Sequence, residues 1–307
     1  MSSKPLLPVK SDFVFKMIFG DQRNAEILAA FLKSVLDIPE YEYERLVIID
    51  PHIKKEFEHD KYGILDVKVH TKSMSVVHVE IQLQVFPDLK QRILYSQSKL
   101  VTEQISSGQD WSVIKRVITI IITDELFIHN SDDYINQFRY RTANNIEFSR
   151  LSEINSLELG KLPMETDNTA LWYWTKLIKS DDEEALDMLS QRDPHIKKAV
   201  AVLKELSADE RARMLYEEHE TRRRDIASMV NGARKEGRAE GHAEGHAEGR
   251  VEGHAEGRVE GRAEGRAEGR TEVLGDVLRN AMSLNMDIDS IMRLTGLSRE
   301  DVEAMKK

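Results

Sequence analysis

The spacing of apolar residues changes period several times along the first half of the chain. Ser11-Asp12 can cap a helix that carries Phe13, Phe15, Ile18 and Phe19. Gly20-Asp21 ends it, and a second helix from about Asn24 to Leu36 places Ile27, Leu28, Phe31, Leu32 and Val35 at helical spacing. The period then shortens. Leu46–Ile49 is a short apolar strand, and Ile64–His70 alternates as a strand should. Ser75–Gln84 is its antiparallel partner, joined through the polar turn Thr71–Ser73. A helix follows from about Asp88 to Ser107 and stops at Gly108. Val117–Thr123 is an unbroken β-branched run, which predicts a strand covered on both faces. Helix, helix, three strands, helix and strand make an α/β domain with a small mixed sheet between helices.

Beyond about residue 165 the pattern is helical. Leu171-Trp-Tyr-Trp174 opens an amphipathic stretch whose two tryptophans are expected to pack it on the preceding core. Further helices are predicted around Glu183–Ser190 and His195–Leu206, separated by Asp193-Pro194. Arg222-Arg-Arg224 follows Glu217, Glu218 and Glu220 and reads as a mixed-charge surface helix. From Glu236 to Thr271 the chain repeats Glu-Gly-Arg/His-Ala/Val in nine units. Glu, Arg and Ala favour helix, but each glycine costs about 1 kcal/mol relative to alanine. A four-residue step drifts by about 40° per unit on a straight helix, so the small residues form no fixed stripe. Glu and Arg two apart miss the helical ion-pair spacing. The repeat is therefore either a flexible, partly helical spacer, the favoured reading, or a helix stabilised by self-association through Gly and Ala. In the tail, Ile288, Ile291, Met292 and Leu294 precede Thr295-Gly-Leu-Ser298, then Val302 and Met305. This resembles a short helix-turn-helix, but its acidic second helix favours a packing or assembly module over a major-groove reader. The expected organisation is 1–165, 166–235, 236–271 and 272–307.

Composition narrows the function classes. The 307 residues carry a net charge of −10, which argues against coating DNA through the overall field. There are no cysteines, which excludes disulfides, thiolate metal sites and a cysteine nucleophile. The opening MSSKPLLPVK has no apolar stretch long enough for a secretory signal, and Val117–Ile122 is too short to span a membrane. A cytoplasmic protein without membrane partners is expected.

The chemistry concentrates on the two hairpin strands. Asp66 lies between Leu65 and Val67; Glu80 lies between Val79 and Ile81, with Gln82 two residues further on the same face. Carboxylates set into apolar strands are costly unless paired or bound to a cation. Two converging there make a hard oxygen site suited to Mg²⁺ or Mn²⁺. The plainer alternative is a solvated hairpin face, with Asp66, Lys68 and His70 opposite His78, Glu80, Gln82 and Gln84.

Gly63-Ile-Leu-Asp66 followed by Glu80-Ile-Gln82 resembles the PD-(D/E)XK motif. With Lys61, Ile64–Val67, and the opening Asp12–Lys16 and Ile18–Gly20, it resembles the Rpn family, recombination-promoting nucleases also described as transposases. The resemblance covers residues 11–125. It implies a restriction-endonuclease-like core, a metal-dependent DNA endonuclease, and Asp66, Glu80 and the Ile81 carbonyl as ligands for Mg²⁺ or Mn²⁺. It also implies a catalytic place for Gln82, where the superfamily usually has lysine. A neutral amide can orient water but supplies no charge. The resemblance leaves a second reading, a DNA-binding or assembly protein that keeps the fold with little or no catalysis.

The helix after the site offers Gln91 and Tyr95, four apart on one face, with Arg92 and Lys99 on a basic side. The expected roles are phosphate contact by Arg92 and support by Gln91 and Tyr95. The alternative is an ordinary amphipathic helix burying Ile93, Leu94 and Leu100. Lys16 and Lys61 are further candidates for contact with the DNA backbone. Glu26 and Glu56 are acidic groups that spacing does not select. His52, His59, His70 and His78 form no metal-binding pattern and read as surface or structural, with His78 a minor candidate near the site. Self-association through the repeat or tail is a further expectation.

Overall fold

A computed structural model describes residues 5–49 and 66–304. The described chain separates into two compact units, Met1–Arg222 and Arg223–Lys307.

Among the described residues, the first unit is built on a six-stranded mixed sheet. Its strands are β1 (Val47–Ile49), β2 (Val67–His70), β3 (Val76–Ile81), β4 (Val117–Thr123), β5 (Ile135–Arg141) and β6 (Glu147–Glu158), in the order β1-β2-β3-β4-β6-β5. β1, β2 and β3 pair antiparallel; β4 lies parallel to both β3 and β6; β5 returns antiparallel on β6. Every residue of β4 is buried, as its β-branched run requires of a strand covered on both faces.

Alternation divides the sheet's two faces between two helical layers. Val67, Val69, Val77, Val79, Ile118, Ile120 and Ile122 belong to the main core with α1 (Asp12–Phe19), α2 (Ala25–Val35), α4 (Ala170–Lys179), α5 (Glu183–Ser190) and α6 (Pro194–Ala208). On the other face α3 (Leu89–Thr102) sets Leu89 and Ile93 against Ile121, and Leu100 against Val76 and Val117. Trp174 of α4 is 1% exposed and meets Phe19 and Phe31 at ring centroid distances of 6.0 and 6.1 Å. The tryptophan segment therefore packs on the sheet core, as its amphipathic pattern suggests.

Most predicted elements appear within a few residues of their expected bounds. α3 ends at Thr102, short of Ser107. The β5–β6 hairpin was not expected. Its strands turn at Thr142–Ile146, where Asn145 adopts φ 64°. Asparagine tolerates that left-handed conformation better than most residues.

In the second unit the repeat, read above as a partly helical spacer or a self-associating helix, is helical throughout. It lies within α7, which runs from Glu210 to Ser283. Its residues are exposed apart from the half-buried Gly269. A Cβ added at any repeat glycine would meet nothing within 4 Å, so packing among the described residues of this chain does not require glycine there. The tail forms a small cluster of Leu278, Ala281, Ile291 and Val302. α8 (Ile288–Thr295) begins with Asp287 accepting from the Ser290 amide and ends at Gly296, φ 70°. Ser298 and Asp301 exchange reciprocal bonds at the start of α9 (Arg299–Ala304), a capping-box arrangement. No described helix is long and apolar enough to cross a membrane.

Candidate active site

The β2–β3 register pairs Val67 with Val79. Continued by one residue, it sets Asp66, just before β2, beside Glu80 on β3. Glu80 is also in register with Ile121, whose side chain packs beneath α3, so Glu80 faces the α3 layer. Both carboxylates are largely buried, with 11% of the Asp66 and 15% of the Glu80 side chain exposed.

Among the described residues, three elements contribute partners. The Ile81 amide donates to Asp66 Oδ2 at 2.7 Å. Lys16, from α1 in the opposite layer, places Nζ 3.0 Å from Asp66 Oδ1. Arg92 of α3 brings Nη2 to 3.7 Å from Glu80 Oε1, and His78 Nε2 lies 3.8 Å from Glu80 Oε2. Gly20 helps bring Lys16 there. Its amide closes α1 on the Lys16 carbonyl, and a Cβ at this position would lie 2.7 Å from that carbonyl oxygen and 3.5 Å from Val67. The chain can thus leave α1 tight against the start of β2.

Burial and mutual repulsion set the charge state. Burial pushes the Asp66 carboxyl upward, against the opposing pull of Lys16 and the Ile81 amide; Asp12 adds a smaller upward push. Burial first, then the charge of Asp66, raises Glu80 to about 7, with Arg92 and Lys16 acting in the other direction. Two buried carboxylates that resist joint ionisation form a site a cation would stabilise.

The donor set fits a hard divalent cation. Mg²⁺ is commonly held by one or two carboxylates and completes its shell with water and substrate phosphate. Among the described residues no group of three or more acidic, histidine or cysteine side chains could hold a metal, so protein donors beyond Asp66 and Glu80 would come from backbone such as the Ile81 carbonyl.

The remaining candidates fall into distinct places. Gln82 directly follows β3 and is half-buried; its amide donates to the Ile122 carbonyl at 2.7 Å, extending the ladder to β4. Alternation then keeps it on the side of Glu80. Arg92 reaches Glu80, whereas Gln91 and Tyr95 lie on the exposed surface of α3. Glu26 pairs with Lys198 on the protein surface. Lys61, Glu56, His52 and His59 lie outside the described residues. His78 carries more weight than its sequence suggested: it is fully buried, and among the described residues neither ring nitrogen has a hydrogen-bond partner. Its place opposite Thr119 in the β3–β4 register, on an interior strand, could be read from the neighbouring β-branched run.

A mixed sheet between helical layers, with carboxylates at adjoining positions before β2 and on β3, is consistent with the PD-(D/E)XK fold, and Glu80-Ile-Gln82 departs from its motif only in the last residue. The chain belongs to the PD-(D/E)XK nuclease family transposases, whose family profile matches residues 9–233. No curated protein and no solved structure gives a significant match.

Proposed function

We propose that this chain is a divalent-metal-dependent DNA endonuclease that hydrolyses phosphodiester bonds, in support of recombination or transposition-like events. The observation that carries the reading is the pairing of Asp66 and Glu80 at adjoining strand positions, buried and held from two layers. In this reading Asp66, Glu80 and the Ile81 carbonyl hold Mg²⁺ or Mn²⁺. The ion supplies Lewis acidity to the phosphate and lowers the pKa of bound water. Gln82 orients the attacking water through its amide. Arg92 moves its guanidinium from Glu80 to a phosphate oxygen, Gln91 and Tyr95 support the site from the same helix, and Lys61 is a further candidate for contact with the DNA backbone. The repeat serves as a spacer in this reading, and self-association would run through the repeat or the tail.

Purified protein should cleave DNA with Mg²⁺ or Mn²⁺, and Asp66→Ala or Glu80→Ala should abolish cleavage. Equal cleavage by wild type and both variants would mark a contaminant. DNA retention without cleavage in either metal would favour a non-catalytic binding protein, the reading that neutral Gln82 supports.

A further inference from the structure

Phosphodiester hydrolysis builds negative charge on the phosphoryl oxygens and the leaving oxygen, and a fixed cation nearby stabilises that charge. The sequence places neutral Gln82 where a lysine would supply such a cation. The fold brings a different lysine to the same carboxylates. Lys16 Nζ lies 3.0 Å from Asp66 Oδ1, with 36% of its side chain exposed, so the ammonium is both anchored and open to a substrate. Its helix is rigidly seated: Phe15, Ile18 and Phe19 on either side of it are at most 1% exposed. Arg92 is the other cation that the described residues bring to these carboxylates, but it stands 3.7 Å from Glu80 on the surface of α3 and is half exposed.

We propose that Lys16 is the catalytic cation of this site, supplying from α1 the positive charge that position 82 lacks. The inference rests on the nuclease reading above and adds a role for Lys16 beyond backbone contact. When substrate and cation occupy the site, Lys16 shifts its ammonium from Asp66 toward a nonbridging phosphate oxygen. It stabilises charge there and neither gives nor takes a proton. The separation between Lys16 and Gln82 in sequence is bridged by the packing of α1 against the β2 end of the sheet.

The test compares wild type, Lys16→Met, Gln82→Lys and the double variant Lys16→Met/Gln82→Lys. Methionine keeps the aliphatic stem and removes the charge. Cleavage is measured in Mg²⁺, Mn²⁺ binding by electron paramagnetic resonance, and binding of a duplex oligonucleotide in Ca²⁺. Lys16→Met should lose about 100- to 1000-fold in cleavage rate. It should bind Mn²⁺ at least as well as wild type, because a competing cation has left Asp66, and hold DNA in Ca²⁺ within a few-fold. The double variant should recover at least about tenfold of the lost rate, since lysine at position 82 restores the missing charge. Three results would overturn the assignment: cleavage by Lys16→Met within a few-fold of wild type, a parallel loss of Mn²⁺ binding that marks Lys16 as only a support for Asp66, or no recovery in the double variant. A wild type that binds Mn²⁺ and DNA but never cleaves would overturn the nuclease reading itself and this role with it, an outcome distinct from an active Lys16→Met.

Discussion

His78 Nε2 lies 3.8 Å from Glu80 Oε2, two residues along one strand face, and the two groups are shifted in opposite senses by the same burial. Burial lowers His78 from 6.5 to about 3, and burial with the charge of Asp66 raises Glu80 from 4.5 to about 7. For His78 the unfolded chain binds more protons between pH 6.5 and about 3, so its contribution to stability is lost as pH falls through that window. For Glu80 the folded chain binds more protons between 4.5 and about 7, so stability is lost as pH rises through that window. In the metal-free protein the two therefore oppose each other between pH 4.5 and 6.5. Below 4.5 the His78 loss is no longer opposed by Glu80, and carboxyls held low in the fold, such as Glu153, add to it, while the raised Asp66 acts the other way. Thermal melts without metal should show a shallow dependence above pH 4.5 and a steeper fall below it, and His78→Leu should lessen that fall. An equally steep fall in His78→Leu would place its origin elsewhere.

Metal binding should follow Glu80. A carboxyl near 7 must lose its proton to become a ligand, so Mn²⁺ affinity should weaken by up to about tenfold per pH unit below 7 and level off above it. Titration by electron paramagnetic resonance from pH 5.5 to 8 reads this directly. A flat profile would mean that Glu80 is not a ligand.

Glu153 gives a structural counterpart. It is buried on β6, yet its carboxyl is lowered, because hydrogen bonds from Asn155 and Arg139 and the charge of Arg116 outweigh its desolvation. Arg139 Nε lies 2.7 Å from Glu153 Oε2. Removing one partner of a buried pair leaves a charge uncompensated, at a cost of about 3–5 kcal/mol. With Arg116 still present, Arg139→Met should fall at the low end of that range by urea denaturation. A midpoint equal to wild type would show that Arg116 alone suffices.

The core and the repeat should respond in opposite directions. Trp174→Ala removes a ring that packs on Phe19 and Phe31 and should cost about 3–5 kcal/mol, measured on the chemical unfolding of the first unit. Gly253→Ala and Gly257→Ala fill open space on an exposed helix and should raise helicity, by up to about 1 kcal/mol each. Circular dichroism and sedimentation together separate two cases. Helicity should rise with the assembly state unchanged if the glycines stand free. A loss of assembly would show that a second chain approaches them closely.

The sequence made the sheet core legible wherever one period dominated. The uniform run Val117–Thr123 specified an interior strand, and alternation around Asp66 and Glu80 specified a hairpin. The β5–β6 hairpin was harder to read. Its outer strand, Ile135–Arg141, is an edge carrying Asn, Gln and Arg, which weakens the apolar signal, although the Phe-Arg-Tyr-Arg alternation before Asn144-Asn145 was available. The strand pattern left the two carboxylates open to a solvated hairpin face, and it was the resemblance of their order and spacing to the family motif that singled them out. The approach of Lys16 to Asp66 could not be read from the sequence, because it depends on packing between a helix and a strand end far apart in the chain. The repeat left two readings open, a partly helical spacer or a self-associating helix, because each glycine lowers helix propensity; the helix continues through all nine units with little tertiary burial.

The central claim is tested most directly by cleavage of DNA in Mg²⁺ by three proteins purified side by side: wild type, Asp66→Asn and Glu80→Gln. Both substitutions keep shape and remove a ligand charge. The account predicts cleavage by wild type that is abolished by chelation, and losses of about 100-fold or more in each variant with the fold intact by circular dichroism. Equal cleavage by all three proteins, or cleavage that persists after chelation, would contradict it.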